Sequence, residues 1–458
     1  MSARVSARDV AFEVLRAVDE SDAYSNLALP QAISRAQLTG PDAALATELT
    51  YGTLRQRGTW DAVIVIAAAR GTDKIDPAVL DILRVGVHQI LGMRVPAHAA
   101  VNEAVTLTRR VASARAAGFV NAVLRQVAAS DAVSWLERAE ASARSDDERL
   151  AVRFSHPVWV IRALRRALDA EGRAGELVTL LESDNAAPTV TLAALPGLAE
   201  IPETAEHTLF SPYGFRSPGG DPAGLVQGSG NAVRVQDEGS QLAALALVGA
   251  RTPMPGEKWL DLCAGPGGKT ALLAAEAHRA SVSGTRVALE ANELVPARAG
   301  LVRRSIAAVP VEIPVSEEDG RMRARRGRYD RILVDAPCTG LGALRRRPEA
   351  RWRKSPADVG QLVSLQQELL SAAIDGLAPG GVVAYVTCSP HLAETRDVVR
   401  DVLADREGVE EMDARAVLRE VAQAPIDLPA QQDDSGRAQL WPHRHGTDAM
   451  SISLLRRR

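Results

Sequence analysis

The sequence predicts a helical bundle followed by a doubly wound α/β domain. Three observations carry this. Helical periodicity runs through roughly the first 130 residues, Ser211–Gly230 is rich in Gly and Pro, and short apolar runs alternate with helical stretches from Val233 onward.

The first helix is announced by Ser6 and Asp9, a capping-box pair, ahead of Val10, Phe12, Val14, Leu15 and Val18 at helical spacing. Further helical stretches are expected at Asp42–Leu54, Trp60–Ala69, Pro77–Leu91, Ala97–Val111 and Ala117–Val127. Gly40, Gly58, Gly71 and Pro96 punctuate the short connectors between them. Several helices on short loops make a bundle. Composition turns polar over Ser130–Glu148, a natural boundary. His156, Pro157 and Trp159 then open another amphipathic helix, and Thr189–Leu195 alternates like a short strand.

Nine of the twenty residues in Ser211–Gly230 are Gly or Pro, so this stretch is expected to be loop. Beyond it, strands are expected at Trp259–Cys263, Arg286–Glu290, Val311–Val315, Arg331–Asp335 and Val382–Thr387, with an edge strand at Ser451–Leu455. Strands alternating with helices are the mark of βαβ units in a parallel sheet. The domains expected are 1–135, a helical bundle; 150–230, a small linker subdomain; and 231–458, an α/β domain.

Composition narrows the classes. The chain has 458 residues, about three domains' worth at roughly 150 each. It is 46% hydrophobic and 24% charged, a globular balance. Lys+Arg is 54 and Asp+Glu is 57, so it is not a globally basic nucleic-acid binder, though a local basic patch stays open. Three cysteines cannot build a disulfide framework, which points to a reducing cytoplasm. No stretch has the length or apolarity of a signal peptide or membrane span.

The first chemical motif is Leu260–Thr270, LDLCAGPGGKT. An apolar strand runs into Cys263, Ala264, Gly265, Pro266, Gly267, Gly268 and Lys269, where a helix begins. Small residues allow close backbone approach and the helix start offers free N–H groups, as in nucleotide sites; a tight turn without ligand is the plain alternative. Glu290 at the end of the next strand is placed to accept hydrogen bonds from ribose hydroxyls, and Asp319 adds an acid after the third. These residues fit a nucleoside-bearing cofactor without separating a dinucleotide from S-adenosylmethionine.

Two further strands end in thiols: DRILVDAPCTG in Asp335, Pro337 and Cys338, and VVAYVTCSP in Cys388. Cysteine is also a common small buried residue. Two of three at the ligand-binding edge of one sheet nonetheless suggest chemistry. A thiolate adding to cytosine C6 makes C5 nucleophilic, a carboxylic group can steady the ring, and a second thiol can help remove the C5 proton.

DLCAGPGGKT, DAPCTG and YVTCSP, in this order and spacing, resemble the Sun/nucleolar-protein family of RNA cytosine-5 methyltransferases. The helical N-terminus resembles the NusB fold, a fusion similar to that of the family's bacterial 16S ribosomal RNA members. The resemblance spans nearly the whole chain, down to LWPHRHGTDAM at Leu440–Met450. It implies a Rossmann-like class I methyltransferase domain with S-adenosylmethionine as cofactor and RNA as partner, without metal or membrane, in a cytoplasmic protein expected to be a monomer. Cys388 is implied as nucleophile, Cys338 as the thiol assisting release and Asp335 as a contact to the target base. Cys263–Lys269, Glu290, Asp319 and Asp335 are the implied cofactor site. Glu290 stands where Asp is commoner, Ala264–Gly265 replaces two alanines, SPHLAET keeps only Glu394 of an acidic stretch, and SISLL lacks the usual aromatics.

Rival readings are a nicotinamide dehydrogenase, a tRNA cytosine-5 methyltransferase of the same family, and a non-catalytic NusB-like assembly factor. The dehydrogenase leaves both thiols without a task, and AGPGG lacks the dinucleotide spacing. The basic runs Arg321–Arg331 and Arg345–Lys354 read first as solvated faces. The second, seven residues past Cys338, is also a candidate for phosphate contacts, and Trp352 within it for stacking or anchoring. His443 and His445 lack a third ligand at metal spacing.

Overall fold

The computed structural model describes residues 5–21, 23–220 and 222–458. Residues 1–4 of the N-terminal stretch and Asp221 of the Gly/Pro-rich passage lie outside the described residues. By internal contacts the chain forms two units: residues 1–162 with 184–186 and 344–354, and residues 163–183, 187–343 and 355–458.

The first unit is helical. Ala7–Ser21, Ser25–Arg35, Gly40–Arg55, Arg57–Ala68, Pro77–Val87, Ala97–Val111, Ala114–Val127, Ala132–Glu140 and Asp146–Phe154 are its main helices. Local chemistry sets their starts. Ser6 and Asp9 form the expected capping box, with Ser6 N–H and Oγ each 2.8 Å from Asp9 Oδ2. Asp76 caps a helix that opens with Pro77, and Ser113 and Asp131 cap two more. Apolar stripes close two cores, one around Val10, Val14, Leu49 and Leu54, the other around Ile64, Leu83, Val120, Leu124 and Trp135. Helix packing continues past residue 135, the boundary expected from composition, as far as Arg162.

The late segment 344–354 is part of this unit, and it answers the question of the second basic run. Arg351 is fully buried and donates to the carbonyls of Arg55 (3.3 Å), Ser155 (3.0 Å) and Asp184 (3.3 Å) and to Asn185 Oδ1 (2.9 Å). Glu349 accepts from Ser25 N–H and Oγ. The Trp352 ring lies so close to Gly58 that a Cβ there would come within 2.6 Å of it. This run is an internal strap rather than a solvated face, and Trp352 anchors it.

The second unit holds two sheets. Strands β1 (Thr191–Ala194), β2 (Gly214–Arg216) and β3 (Val233–Val235) form a small antiparallel sheet in the order β2-β1-β3, closed by Leu192, Phe215 and Val233. The Gly/Pro-rich passage is therefore not all loop. It carries β2 and a short helix, Ala223–Gly228, because Phe215 has a core to enter.

The large sheet comprises β4 (Glu257–Asp261), β5 (Val287–Asn292), β6 (Val315–Ser316), β7 (Tyr329–Asp335), β8 (Leu377–Thr387), β9 (Val409–Met412), β10 (Ala438–Gln439) and β11 (Ser451–Arg457). Its order is β10-β11-β8-β7-β4-β5-β6, with β9 also on β11; pairs from β8 to β6 are parallel and those of β11 antiparallel. Helices cover both faces, so the parallel strands are near-continuous apolar runs, as Val382–Thr387, buried throughout, illustrates. β6 keeps only the last residue of its expected span, since Pro310 and Pro314 cannot donate to a ladder. β11 is not an edge strand: β8, β9 and β10 all pair with it, consistent with the complete burial of Ser451–Leu455. The strand order reverses between β4 and β7, the position where open α/β sheets bind ligands.

Candidate active site

The loop after β4 is pinned at nearly every polar group. Ala264 N–H donates to Asn292 O (2.9 Å), and Gly265 N–H to Glu293 Oε2 (3.0 Å). Arg298 donates to Gly265 O (2.7 Å) and Ser305 Oγ to Pro266 O (2.9 Å). Ser305 is in turn held by the partly buried Arg234, whose guanidinium pKa desolvation lowers to about 10. Gly267 has φ +106°, and a Cβ on it would lie 2.9 Å from Val302 Cα, so only glycine fits. Helix Gly268–Val282 then starts without a side-chain cap.

Beneath this loop Asp261 is almost fully buried. Its Oδ2 accepts from Thr270 Oγ1 (2.7 Å), while Oδ1 is buried without a hydrogen-bond partner. Burial, foremost, and the charges of Asp335 and Glu293 raise its pKa to about 7. Burial also pushes the Cys263 thiol well up, with nearby carboxylates adding to the effect, so Cys263 is an inert wall. Lys269 Nζ donates to Asp335 Oδ2 at 2.8 Å. Burial alone would lower the Lys269 pKa, but the Asp335 carboxylate outweighs it and the ammonium is held above its usual value. A fixed loop, uncapped amides and an unsatisfied buried carboxylate oxygen fit a cofactor carrying both a nucleoside and an amino-acid end.

The expected acids are not placed alike. Asp335 stands beside the loop, through Lys269. Asp319 caps helix Gly320–Arg325 and is bonded by Arg321. Glu290 turns to Arg323 and to Tyr329 Oη (3.0 Å). The acid that touches the glycine loop is Glu293. Asn292 beside it ties β4, β6 and the Asp319 segment together, bonding Leu262 O, Ser316 Oγ and both backbone groups of Glu318. Sequence reasoning passed over both; their position just after an apolar strand was the available signal.

Across the switch point the two thiols meet. β7 and β8 are parallel neighbours with Asp335 opposite Val386, and Ala336 N–H bonds Val386 O. Cys338 Sγ and Cys388 Sγ are consequently 3.4 Å apart. Gly342 closes the turn: its N–H donates to Cys388 O, and a Cβ there would sit 2.0 Å from Ala449 O. Hydrogen bonding to Cys388, then burial, then the charges of Cys388 and Glu394 drive the Cys338 pKa well up. Cys388 has the Lys269 ammonium nearby, close enough for its charge to act on that lysine.

Elsewhere, five arginines of the first basic run pair with carboxylates, Arg321 with Asp319 and Glu368, Arg323 with Glu290, Arg325 with Asp375, Arg326 with Glu318 and the buried Arg331 with Glu257, while Arg328 donates to the carbonyls of Gly327 and Asp375. His443 bonds Glu176, and His445 bonds Asp427 O. Among the described residues no cluster of three or more His, Cys, Asp or Glu could hold a metal, and no helix is long and apolar enough to cross a membrane.

A doubly wound sheet with this loop at its switch point and two strand-end thiols beside it fits the class of Rossmann-like S-adenosylmethionine-dependent methyltransferases. Comparison with known proteins narrows the class. A family model described as 16S rRNA methyltransferase RsmB/F matches residues 249–456, and a NusB family model matches residues 5–129. A methyltransferase of Mycobacterium tuberculosis strain H37Rv is 48% identical over 98% of this chain and 96% of its own. The ribosomal RNA small subunit methyltransferase B of Pseudomonas putida strain KT2440 is 31% identical over 89% and 91%. The crystal structure of PH0851 superposes with a TM-score of 0.78 at 21% identity, covering 99% of both chains, a likeness of fold. The chain belongs to the RsmB/F family of ribosomal RNA methyltransferases, with a NusB domain at its N-terminus.

Proposed function

We propose that this protein methylates cytosine C5 in 16S ribosomal RNA through a transient bond between Cys388 and cytosine C6. The observation that carries the reading is the sulfur pair 3.4 Å apart at the carboxyl ends of β7 and β8. The choice of 16S RNA rests on the family description and on the names of the relatives. The helical unit, as a NusB domain, adds RNA affinity without taking part in the chemistry.

The target base leaves its stack to reach both sulfurs. Cys388, as thiolate, forms the S–C6 bond, and the displaced pair makes C5 an enamine carbon. Asp335 hydrogen-bonds the base edge and steadies the charge that develops on the ring. Cys263–Lys269, with Asp319, Asp335 and Glu290, would hold S-adenosylmethionine, which would supply an electrophilic methyl group. Cys338, its own proton given up to solvent once Cys388 is bound to carbon, then takes the C5 proton as a thiolate, the C–H pair restores the C5=C6 bond, the S–C6 bond breaks, and Cys388 leaves as thiolate. The timing follows from the pair. The foremost cause of the raised Cys338 pKa is Cys388, and that cause is removed once the Cys388 sulfur is bound to carbon. Bisulfite mapping of RNA from cells lacking the protein tests the reading: loss of one 16S cytosine signal is expected, and loss of a tRNA signal alone contradicts it.

A further inference from the structure

Glu394 is fully buried in a short turn after β8. Its Oε1 accepts from Thr339 N–H (2.7 Å) and Gln366 Nε2 (3.2 Å). Its Oε2 accepts from Thr339 Oγ1 (2.5 Å) and Ser389 Oγ (2.7 Å). Thr339 directly follows Cys338, and Ser389 directly follows Cys388. Gln366 also donates to Pro337 O (2.8 Å), on the other side of Cys338, and Tyr385 Oη donates to the Glu394 carbonyl (2.7 Å). One carboxylate thus fastens the two cysteine loops to each other.

We infer that Glu394 is a positioning residue that sets the spacing of the two sulfurs, and through it the rate of methyl transfer. The inference rests on the proposed reaction for its kinetic consequence but not for its geometry. A buried carboxylate accepting four bonds is a rigid clamp, because its donors have no water to turn to. Its bonds run to the residues that follow the two cysteines, Thr339 and Ser389, and to Gln366. Burial would make an uncompensated carboxylate costly here, and the four donors supply the compensation.

The replacement chemistry gives the test its shape. In Glu394→Gln the amide oxygen still takes the Thr339 N–H, and the amide NH2 can donate to the hydroxyl oxygens of Thr339 and Ser389, which are able to accept. In Glu394→Ala both loops lose their common partner. Thr339→Val and Ser389→Ala each remove one hydroxyl while leaving the carboxylate in place.

Phenylarsine oxide reports the spacing directly, since each molecule condenses with two close thiols, forming two As–S bonds and releasing one water. The full-length chain is titrated with it, and kcat for RNA methylation, KM for S-adenosylmethionine and adduct on a denaturing gel are measured alongside. Glu394→Ala is expected to weaken arsenical binding at least tenfold and to lower kcat about 100-fold, the order expected for a misplaced reacting group, with KM changed less than about threefold. Glu394→Gln should stay within about tenfold of wild type in both. If Glu394→Ala does not fold, Thr339→Val and Ser389→Ala carry the test, each expected to weaken arsenical binding and kcat several-fold. Wild-type arsenical affinity and kcat in the folded Glu394→Ala chain, or in both single-hydroxyl variants, would overturn the inference. Loss of adduct from every variant with arsenical binding still graded would instead strike the covalent reaction and leave the clamp standing.

Discussion

The sulfurs of Cys338 and Cys388, fifty residues apart in the chain, lie 3.4 Å from each other. The sheet brings them together, since β7 and β8 are parallel neighbours that end at the same level. Hydrogen bonding to Cys388, then burial, then the charges of Cys388 and Glu394 hold the Cys338 thiol well above its usual pKa.

Gly267→Ala tests the loop as the cofactor's seat. The new methyl would need a φ of +106° and would press on Ser305 and on the Val302 backbone. S-adenosylhomocysteine affinity, read by calorimetric titration, should fall at least tenfold, on the order of 1.4 kcal/mol. Unchanged affinity would remove the loop from the site. Wild-type protein should prefer S-adenosylhomocysteine to NADH in the same experiment.

Asp261 carries a pH signature. Its folded pKa, raised to about 7 chiefly by burial, lies above the roughly 3.9 of an unfolded aspartate. The folded state therefore holds its proton more tightly, and the stability linked to this group is present below about pH 4 and lost as pH rises to about 7. Asp261→Asn keeps an acceptor for Thr270 and lacks that loss. Its melting temperature relative to wild type should climb between about pH 4 and 7 and level off above. A difference that does not vary with pH would contradict the shift.

Arg351→Met tests the strap. Burial lowers the Arg351 pKa to about 10, so the guanidinium is still charged at neutral pH, and its loss strands buried carbonyls. A cost of about 2–4 kcal/mol is expected. In hydrogen exchange on the full chain, helices Gly40–Arg55 and Asp146–Phe154 should lose protection; unchanged protection would make the strap incidental.

Much of the fold was legible because buried parallel strands write themselves as apolar runs and bundle helices as 3.6-residue stripes. The expected helix Ala97–Val111 matches the observed one to the residue. The glycine loop and both strand-end thiols were legible too, since short motifs sit where strands meet loops. What escaped depends on contacts distant in sequence. β2 forms inside a Gly/Pro-rich passage because Phe215 finds a core. Arg345–Lys354 resembles a solvated run until Arg351 is seen among the carbonyls of a remote helical unit. Glu290 is legible as a strand-end acid, but its bonds to Arg323 and Tyr329, and the bond from Gly265 to Glu293, are not.

The central claim is the division of labour between the thiols, and a denaturing gel of full-length variants incubated with labelled 16S RNA and S-adenosylmethionine tests it most directly. Cys388→Ala should show neither methylation nor RNA-linked protein. Cys338→Ala should accumulate an RNA-linked species, because addition and methyl transfer proceed while removal of the C5 proton slows. An adduct in Cys388→Ala and none in Cys338→Ala would reverse the roles, and full turnover in both variants would contradict the covalent mechanism.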